Sequence, residues 1–458
     1  PTHIRHSHTL YRNKKMTPSL TLTDVFEKIT HWIPRKDNTI QTLTLPINQD
    51  DIPITALDNV ENEFKLFWKD RFTKRPCFAI GHSLNWSGDT VSEYKQSWEI
   101  ASKLCKEHPE IQAFIAKSFH DHPLKRPWDT VPNWQITVPK IRIHNQTLTL
   151  ILNNKIPEQW PQKIQETIDQ IRQLLSHQTE TASPIITTSK RQIPTCTEWK
   201  KMIRFAKSKI EQDAFQKVVC AREVRTQQKH PSSLFQILSH LPDQEDACCR
   251  FGIQLDKDRG FFGKTPEYLI NITDNKVQTE AIAGTQLRGK TEEEDTQYKQ
   301  KLQNNKETKE HNLVVDHIHP ILQKYCGSPP TVHPKEILQL HQVQHLHQRL
   351  TGTLHNKREL FSLIQELHPT PAVSGLPQKE AHDYLSVTES FERGWYSGYL
   401  GWMSQDSVSL VVAIRSAFCH QDQISIYSGA GITEQSNAEE EWHELNHKIQ
   451  PLLDLLNT

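Results

Sequence analysis

Five charged residues carry the first chemical question. Glu307 and Glu310 are three apart, and so are Glu441 and Glu444, with Lys448 four further on. On a helix each set shares one face. Continuing the first face gives Val314, Ile318, Ile321 and Tyr325; continuing the second gives Leu452 and Leu455. Each acidic pair therefore heads a stripe that turns apolar, so the carboxylates are predicted to point inward. Buried carboxylates are costly unless paired or bound to a cation. Four of them suit a hard divalent ion such as Mg²⁺, which prefers oxygen ligands and bridges to anionic substrates. Against this, Glu444 and Lys448 also read as an ordinary surface pair.

Other residues extend the list. Lys217 opens the apolar run "KVVCAREV"; a desolvated lysine loses basicity and can act as a base. The ordinary alternative is an edge-strand lysine facing water. Glu267 follows a proline in "FFGKTPEYLI" and is a candidate general acid, or else a turn residue. Arg415 falls inside the β-branched run "VSLVVAIRSAF", where a guanidinium needs an anionic partner and fits a carboxylate at two points. In "QISIYSGAGI", Gly429 and Gly431 end a strand and can present backbone N–H groups to an anion. His341 and His345 are four apart, but no HExxH glutamate accompanies them, so zinc is not the expectation.

These groups need elements to hold them. The first half mixes signals: "EYKQSWEIASKLCKEHPEIQAFIAK" reads as helix and "TLTLILN" as strand. "SHQTETASPIITTSKRQIPTCT" is the best linker candidate. A helix precedes Lys217, and strands follow at "CCRFGIQL", "FFGKTPEYLINIT" and "KVQTEAIAG". A long helix is predicted over about 293–325, another near 355–367, then the strands "GWYSGYLGWM", "VSLVVAIRSAF" and "QISIYSGAGI", and a terminal helix. Helices and strands do not alternate regularly, which favours α+β over a doubly wound sheet.

Bulk properties narrow the class. The chain has 458 residues with 54 basic and 54 acidic side chains. That balance argues against nucleic acid or an anionic membrane as partner. No apolar run is long enough to span a bilayer. Residues 1–15, ahead of Met16, are basic without an apolar segment; they read as a leader, disordered or foreign to the protein, and not as a secretory signal. The eight cysteines show no zinc or redox spacing and suit a reducing cytoplasm. Of 15 glycines, 13 lie from Gly252 onward, so positions needing unusual backbone concentrate in the second half.

Taken in order, "KVVCAREV", "FFGKTPEYL", "TEAIAGTQLRG", "KETKEHNLVVDHI", "LHPTPAVSGLP", "ERGWYSGYLGW", "VVAIRSA", "GAGI" and "EWHELNHK" resemble the chorismate-utilising enzymes. That family includes isochorismate and salicylate synthases and the large subunits of anthranilate and aminodeoxychorismate synthases. The resemblance runs from about Glu211 to the C-terminus; a weaker likeness lies over "AFIAKSFHDHPLKRPWDTVPNWQITVPKIRI". It implies one large α+β chorismate-binding domain of two packed β-sheets flanked by helices. Residues 16–190 would be its divergent N-terminal part and 191–458 its catalytic core. It implies Mg²⁺ on Glu310 and Glu444, supported by Glu307 and Glu441. Substrate-binding positions would be Gly284, Thr285, His345, Tyr396, Arg415, Gly429, Gly431 and Lys448. Lys217 and Glu267 match the base and acid of the water-using members. Ala283 stands where aminodeoxychorismate synthases carry a nucleophilic lysine. The implied reaction is chorismate to isochorismate, in a cytoplasmic enzyme of menaquinone synthesis without a glutamine amidotransferase partner. Salicylate synthase, a siderophore-pathway isochorismate synthase and a non-catalytic chorismate binder are the alternatives. The chain departs from the family at "GKTPEYL", which keeps the glutamate, and at "LHQRL" after His345, where a threonine is common.

Overall fold

The computed structural model describes residues 20–35, 39–47, 52–61, 64–73, 75–176, 185–242 and 247–457. The proposed leader at 1–15 lies outside them, as does 177–184 of the expected linker.

Every strand pairing is antiparallel, and the pairings form two arms. The first arm begins with β7 (Thr187–Ile193), β8 (Lys217–Gln228), β20 (Gln423–Ile432) and β19 (Ser416–His420). It continues through β10 (Arg259–Thr265), β9 (Cys249–Gln254), β2 (Lys65–Lys69) and β3 (Cys77–Gly88). It ends in β5 (Trp134–His144), β6 (Thr147–Asn153) and β1 (Ile40–Pro46). The second arm starts on β5 and runs through β4 (Ala113–Lys117), β17 (Tyr399–Met403), β18 (Ser407–Val412) and β11 (Tyr268–Thr273). It ends with β12 (Lys276–Leu287) and β15 (Val343–Thr353), flanked by the short β13 (Thr331–Val332) and β14 (Glu336–Gln339). The two-residue β16 (Gly375–Leu376) caps the start of β8. The two layers are thus one hydrogen-bonded network, joined where the first half of β5 pairs with both β3 and β4.

The apolar clusters show how the arms pack. Leu66, Trp68, Phe251, Phe261 and Phe418 of the first arm meet Phe114, Leu400 and Val411 of the second. The outer face of the first arm is covered by α1 (Leu22–Thr30), α3 (Trp160–Leu175) and α5 (Leu234–Ser239). The outer face of the second carries α2 (Val91–Glu107), α7 (Asn305–Tyr325) and α8 (Leu360–Leu367). The remaining helices are α4 (Cys196–Glu211), α6 (Glu292–Leu302), α9 (Gln378–Thr388) and α10 (Ala438–Asp454). This is the expected α+β architecture. Strands from both halves of the chain interleave, β2 beside β9 and β4 beside β17.

Four local expectations are corrected. The helix expected through Lys117 stops at Glu107, just before His108-Pro109, and "AFIAK" is β4. Proline restricts the residue before it away from helical dihedrals. The long helix over 293–325 is two helices, because Asn304 adopts extended dihedrals and caps α7 through Glu307 N. "VSLVVAIRSAF" is β18 and β19, broken at Ala413–Arg415, with Arg415 at φ 50°. Residues 187–193 of the expected linker are β7, paired with β8.

Candidate active site

The α7 cap sets the first acidic pair. Asn304 accepts a hydrogen bond from Glu307 N at 2.9 Å, which puts Glu307 in the first turn, where the helix dipole favours a carboxylate. Glu310 follows one turn on. Asn437 caps α10 in the same way, and places Glu441, Glu444 and Lys448 on the face toward β20. The stripe positions behave as expected: Val314, Ile318, Tyr325, Leu452 and Leu455 are buried.

Both helices face one cavity of about 720 Å³, counting its open mouth. Lys217, Glu267, Gly284, Thr285, Glu310, His345, Tyr396, Arg415, Gly429, Gly431, Glu444 and Lys448 all line it. Glu307 and Glu441 stand behind this wall. Glu307 accepts from Thr285 N at 3.1 Å, and Glu441 accepts from Lys306 Nζ at 3.2 Å.

Lys217 is buried, not an edge lysine in water. Its side chain is 1% exposed, and Nζ lies 2.9 Å from Glu310 Oε1. Burial works against the Glu310 charge, but Lys217, Lys448 and Lys306 together hold its carboxyl below the ordinary value. Lys448 donates to Gly429 O at 2.9 Å and pairs with Glu444 at 2.7 Å. That last contact is the ordinary i,i+4 pair considered from sequence, here inside the cavity.

Glu267 occupies the two-residue gap where the chain leaves β10 for β11. It is 3% exposed, and burial pushes its carboxyl up to about 8. Thr370 Oγ1 donates to it at 3.4 Å. At neutral pH Glu267 is therefore protonated, the state a general acid requires.

The glycines answer to close approach. Gly284 has φ +74° and sits at a register shift between β12 and β15, a bulge that turns its carbonyl toward His345 Nδ1 at 3.1 Å. His345 Nε2 in turn lies 2.7 Å from Arg415 Nη2. This network assigns the proton to Nδ1 and leaves Nε2 as acceptor. Burial, then Arg415 and Lys448, drive the ring far below its usual pKa, so it stays neutral. His345 lies on β15, so the helical His341/His345 spacing does not arise. Gly429 and Gly431 fall at the end of β20, as expected. β19 leaves β20 at Ile426, which opens that edge of the later residues to the cavity. A Cβ on Gly431 would collide with the Glu310 carboxylate and lie 2.9 Å from Lys217 Cε.

The cavity also uses Ala372, Val373, Ile414, Tyr427 and Ser428, and Thr370 through Glu267. Sequence reasoning assigned none of these individually. Thr370, Ala372 and Val373 fall in "LHPTPAVSG", where clustered prolines were the available signal.

A magnesium ion suits this donor set. The acidic ligands are all oxygen donors, and two of them line the cavity. Burial and the neighbouring carboxylates of Glu310 and Glu444 push Glu307 up to about 7. Burial and Glu444 do the same to Glu441. A divalent cation bound here would relieve this crowding. Among the described residues, no three of the four bring ligand atoms within 4.8 Å of one another. The four carboxylates therefore do not converge on one point, and the two that line the cavity are paired with lysines, Glu310 with Lys217 and Glu444 with Lys448.

Residues 27–457 match the family model for chorismate binding enzymes. The chain belongs to this family. It is 30% identical to a chloroplastic isochorismate synthase of Catharanthus roseus over 395 residues, 82% of this chain and 68% of that one. It is 33% identical to isochorismate synthase MenF of Bacillus subtilis over 261 residues, 57% of this chain and 55% of the other. The match thus spans little more than half of the Bacillus relative's length. The fold of MenF, the menaquinone-specific isochorismate synthase from Escherichia coli, superposes with a TM-score of 0.83 at 24% identity, covering 95% of this chain and 98% of that one. Anthranilate synthase component I from Streptococcus pneumoniae superposes at 0.64 and 16% identity. Both share this architecture.

Proposed function

We propose that this chorismate binding enzyme is an isochorismate synthase. The observation that carries the reading is a buried lysine, Lys217, in the same cavity as a carboxyl, Glu267, that burial keeps protonated. Lys217 would take a proton from water as its oxygen bonds to ring carbon C2. The ring double bonds shift, the C4–O bond breaks, and Glu267 gives its proton to the departing hydroxyl. One water enters and one leaves.

Glu310, the partner of Lys217 at 2.9 Å, would turn to the metal when Lys217 acts as base. Glu310 and Glu444 would hold Mg²⁺, with Glu307 and Glu441 behind them. Bound there, the ion would neutralise the ring carboxylate. Lys448, Arg415 and the opened edge of β20 bind and orient the carboxylates. Ala283 lines the cavity where a nucleophilic lysine would stand in an aminodeoxychorismate synthase. No amidotransferase partner is expected. Menaquinone synthesis is the pathway the motif style favours. A cytoplasmic setting agrees with eight free cysteines, and no helix among the described residues is long and apolar enough to cross a membrane.

The test is incubation with chorismate and Mg²⁺, without ammonia, followed by chromatography of the products. Isochorismate alone, lost on adding EDTA, is expected. Salicylate with pyruvate would make it a salicylate synthase, and anthranilate formed only with ammonia would overturn the role of Lys217.

A further inference from the structure

A second group of ligand-type side chains lies outside the cavity. The loop after β4 carries His120 and His122. The segment between α9 and β17 faces it with Glu392. One ligand atom from each of the three lies within 4.8 Å of the other two. His120 and Glu392 are buried, while the His122 side chain is 36% exposed and opens the site to solvent. The two imidazoles stack with centroids 4.6 Å apart. His382 of α9 adds a third ring, its Nε2 3.1 Å from His120 Nδ1.

Glu392 is poorly satisfied for a buried carboxyl. It accepts long hydrogen bonds from Lys125 N at 3.3 Å and Gly394 N at 3.4 Å. Its contact with His122 Nδ1 is 4.0 Å. Among the described residues, no lysine or arginine side chain forms an ion pair with it. Lys117 is answered by Asp121 at 2.6 Å and Arg393 by Glu389 at 2.6 and 2.7 Å, while the exposed Lys125 attracts Glu392 without forming an ion pair with it. Two imidazoles and one carboxylate match a borderline divalent ion far better than Mg²⁺.

We propose that His120, His122 and Glu392 form a transition-metal site, filled by Zn²⁺ or an ion of like preference. Water completes a tetrahedral set. The contact between His382 and His120 orients the ligand ring, as partners of metal-bound histidines do. An ion here ties the loop after β4 to the segment carrying Arg393 and Tyr396. Arg393 donates to the carbonyls of Val219 and Val373, and both residues line the cavity with Tyr396. The metal therefore braces one cavity wall without touching substrate.

The experiment uses the full chain, stripped with chelator and titrated with Zn²⁺ in excess Mg²⁺ by calorimetry, with bound metal counted by mass spectrometry. One Zn²⁺ per chain is expected. His122→Ala and Glu392→Gln should each weaken it by about 10–100-fold or more, while Glu444→Gln leaves it in place. Replacing bound Zn²⁺ with Co²⁺ should give the visible absorption of a tetrahedral site, absent in His122→Ala. His122 is half-buried in a loop, so its replacement leaves the fold intact by circular dichroism. Zn²⁺ binding unchanged in His122→Ala, lost in Glu444→Gln instead, or absent from the native chain would each overturn the proposal.

Discussion

Replacing Glu267 with glutamine should slow the enzyme and stabilise it at once. Glutamine keeps the size of the side chain and its approach to Thr370, but it cannot release a proton. Loss of a general acid costs about 10²–10⁴-fold in kcat. The stability effect follows from linkage. The folded carboxyl sits at about 8, against 4.5 without the protein around it. Below pH 4.5 both states are protonated and nothing is lost. As pH rises, the unfolded chain ionises first, so folding must take up a proton and native stability falls until about pH 8. At about 1.4 kcal/mol per pKa unit, that cost is about 1 kcal/mol at pH 5.5 and about 3 kcal/mol at pH 7. Glutamine removes it. Urea unfolding of both proteins from pH 5.5 to 8 should show a variant advantage that grows with pH, and chorismate turnover should fall over the same series. The native enzyme should lose kcat/KM on the alkaline side, near pH 8. Turnover within about tenfold of native, or a stability difference flat with pH, would refute both the protonated state and the acid role.

Lys217→Ala should reduce turnover by about 10²–10⁴-fold while chorismate still binds by calorimetry; near-normal turnover would remove the lysine from the chemistry. Gly431→Ala should abolish activity with circular dichroism unchanged, because its methyl group meets the Lys217–Glu310 pair; an active variant would show that this pair need not be held in place.

The main features of the site were legible in the sequence for a physical reason. Helix periodicity placed Glu307, Glu310, Glu441, Glu444 and Lys448 at the heads of apolar stripes, and burial follows from which face a stripe presents. The apolar run opened by Lys217 left a buried lysine and an edge lysine facing water both open, and its burial came from the structure. Boundaries were less legible where one residue changes the path of the chain. Asn304 splits the long helix by adopting a cap conformation. Arg415 sits in the break between β18 and β19, with a positive φ that β-branched neighbours conceal.

Contacts between distant segments were decided only by the tertiary structure. Sequence named Lys217 and Glu310 as base and metal ligand but could not show that they share an ion pair at 2.9 Å. It named Glu267 as a candidate acid, but the protonated state depends on a shell assembled from several strands. It passed over His120, His122 and Glu392, which converge only when β4 and β17 pair. Residue type and local period determine which way a side chain faces. Its charge, its partners and its access to solvent depend on what the rest of the chain packs against it.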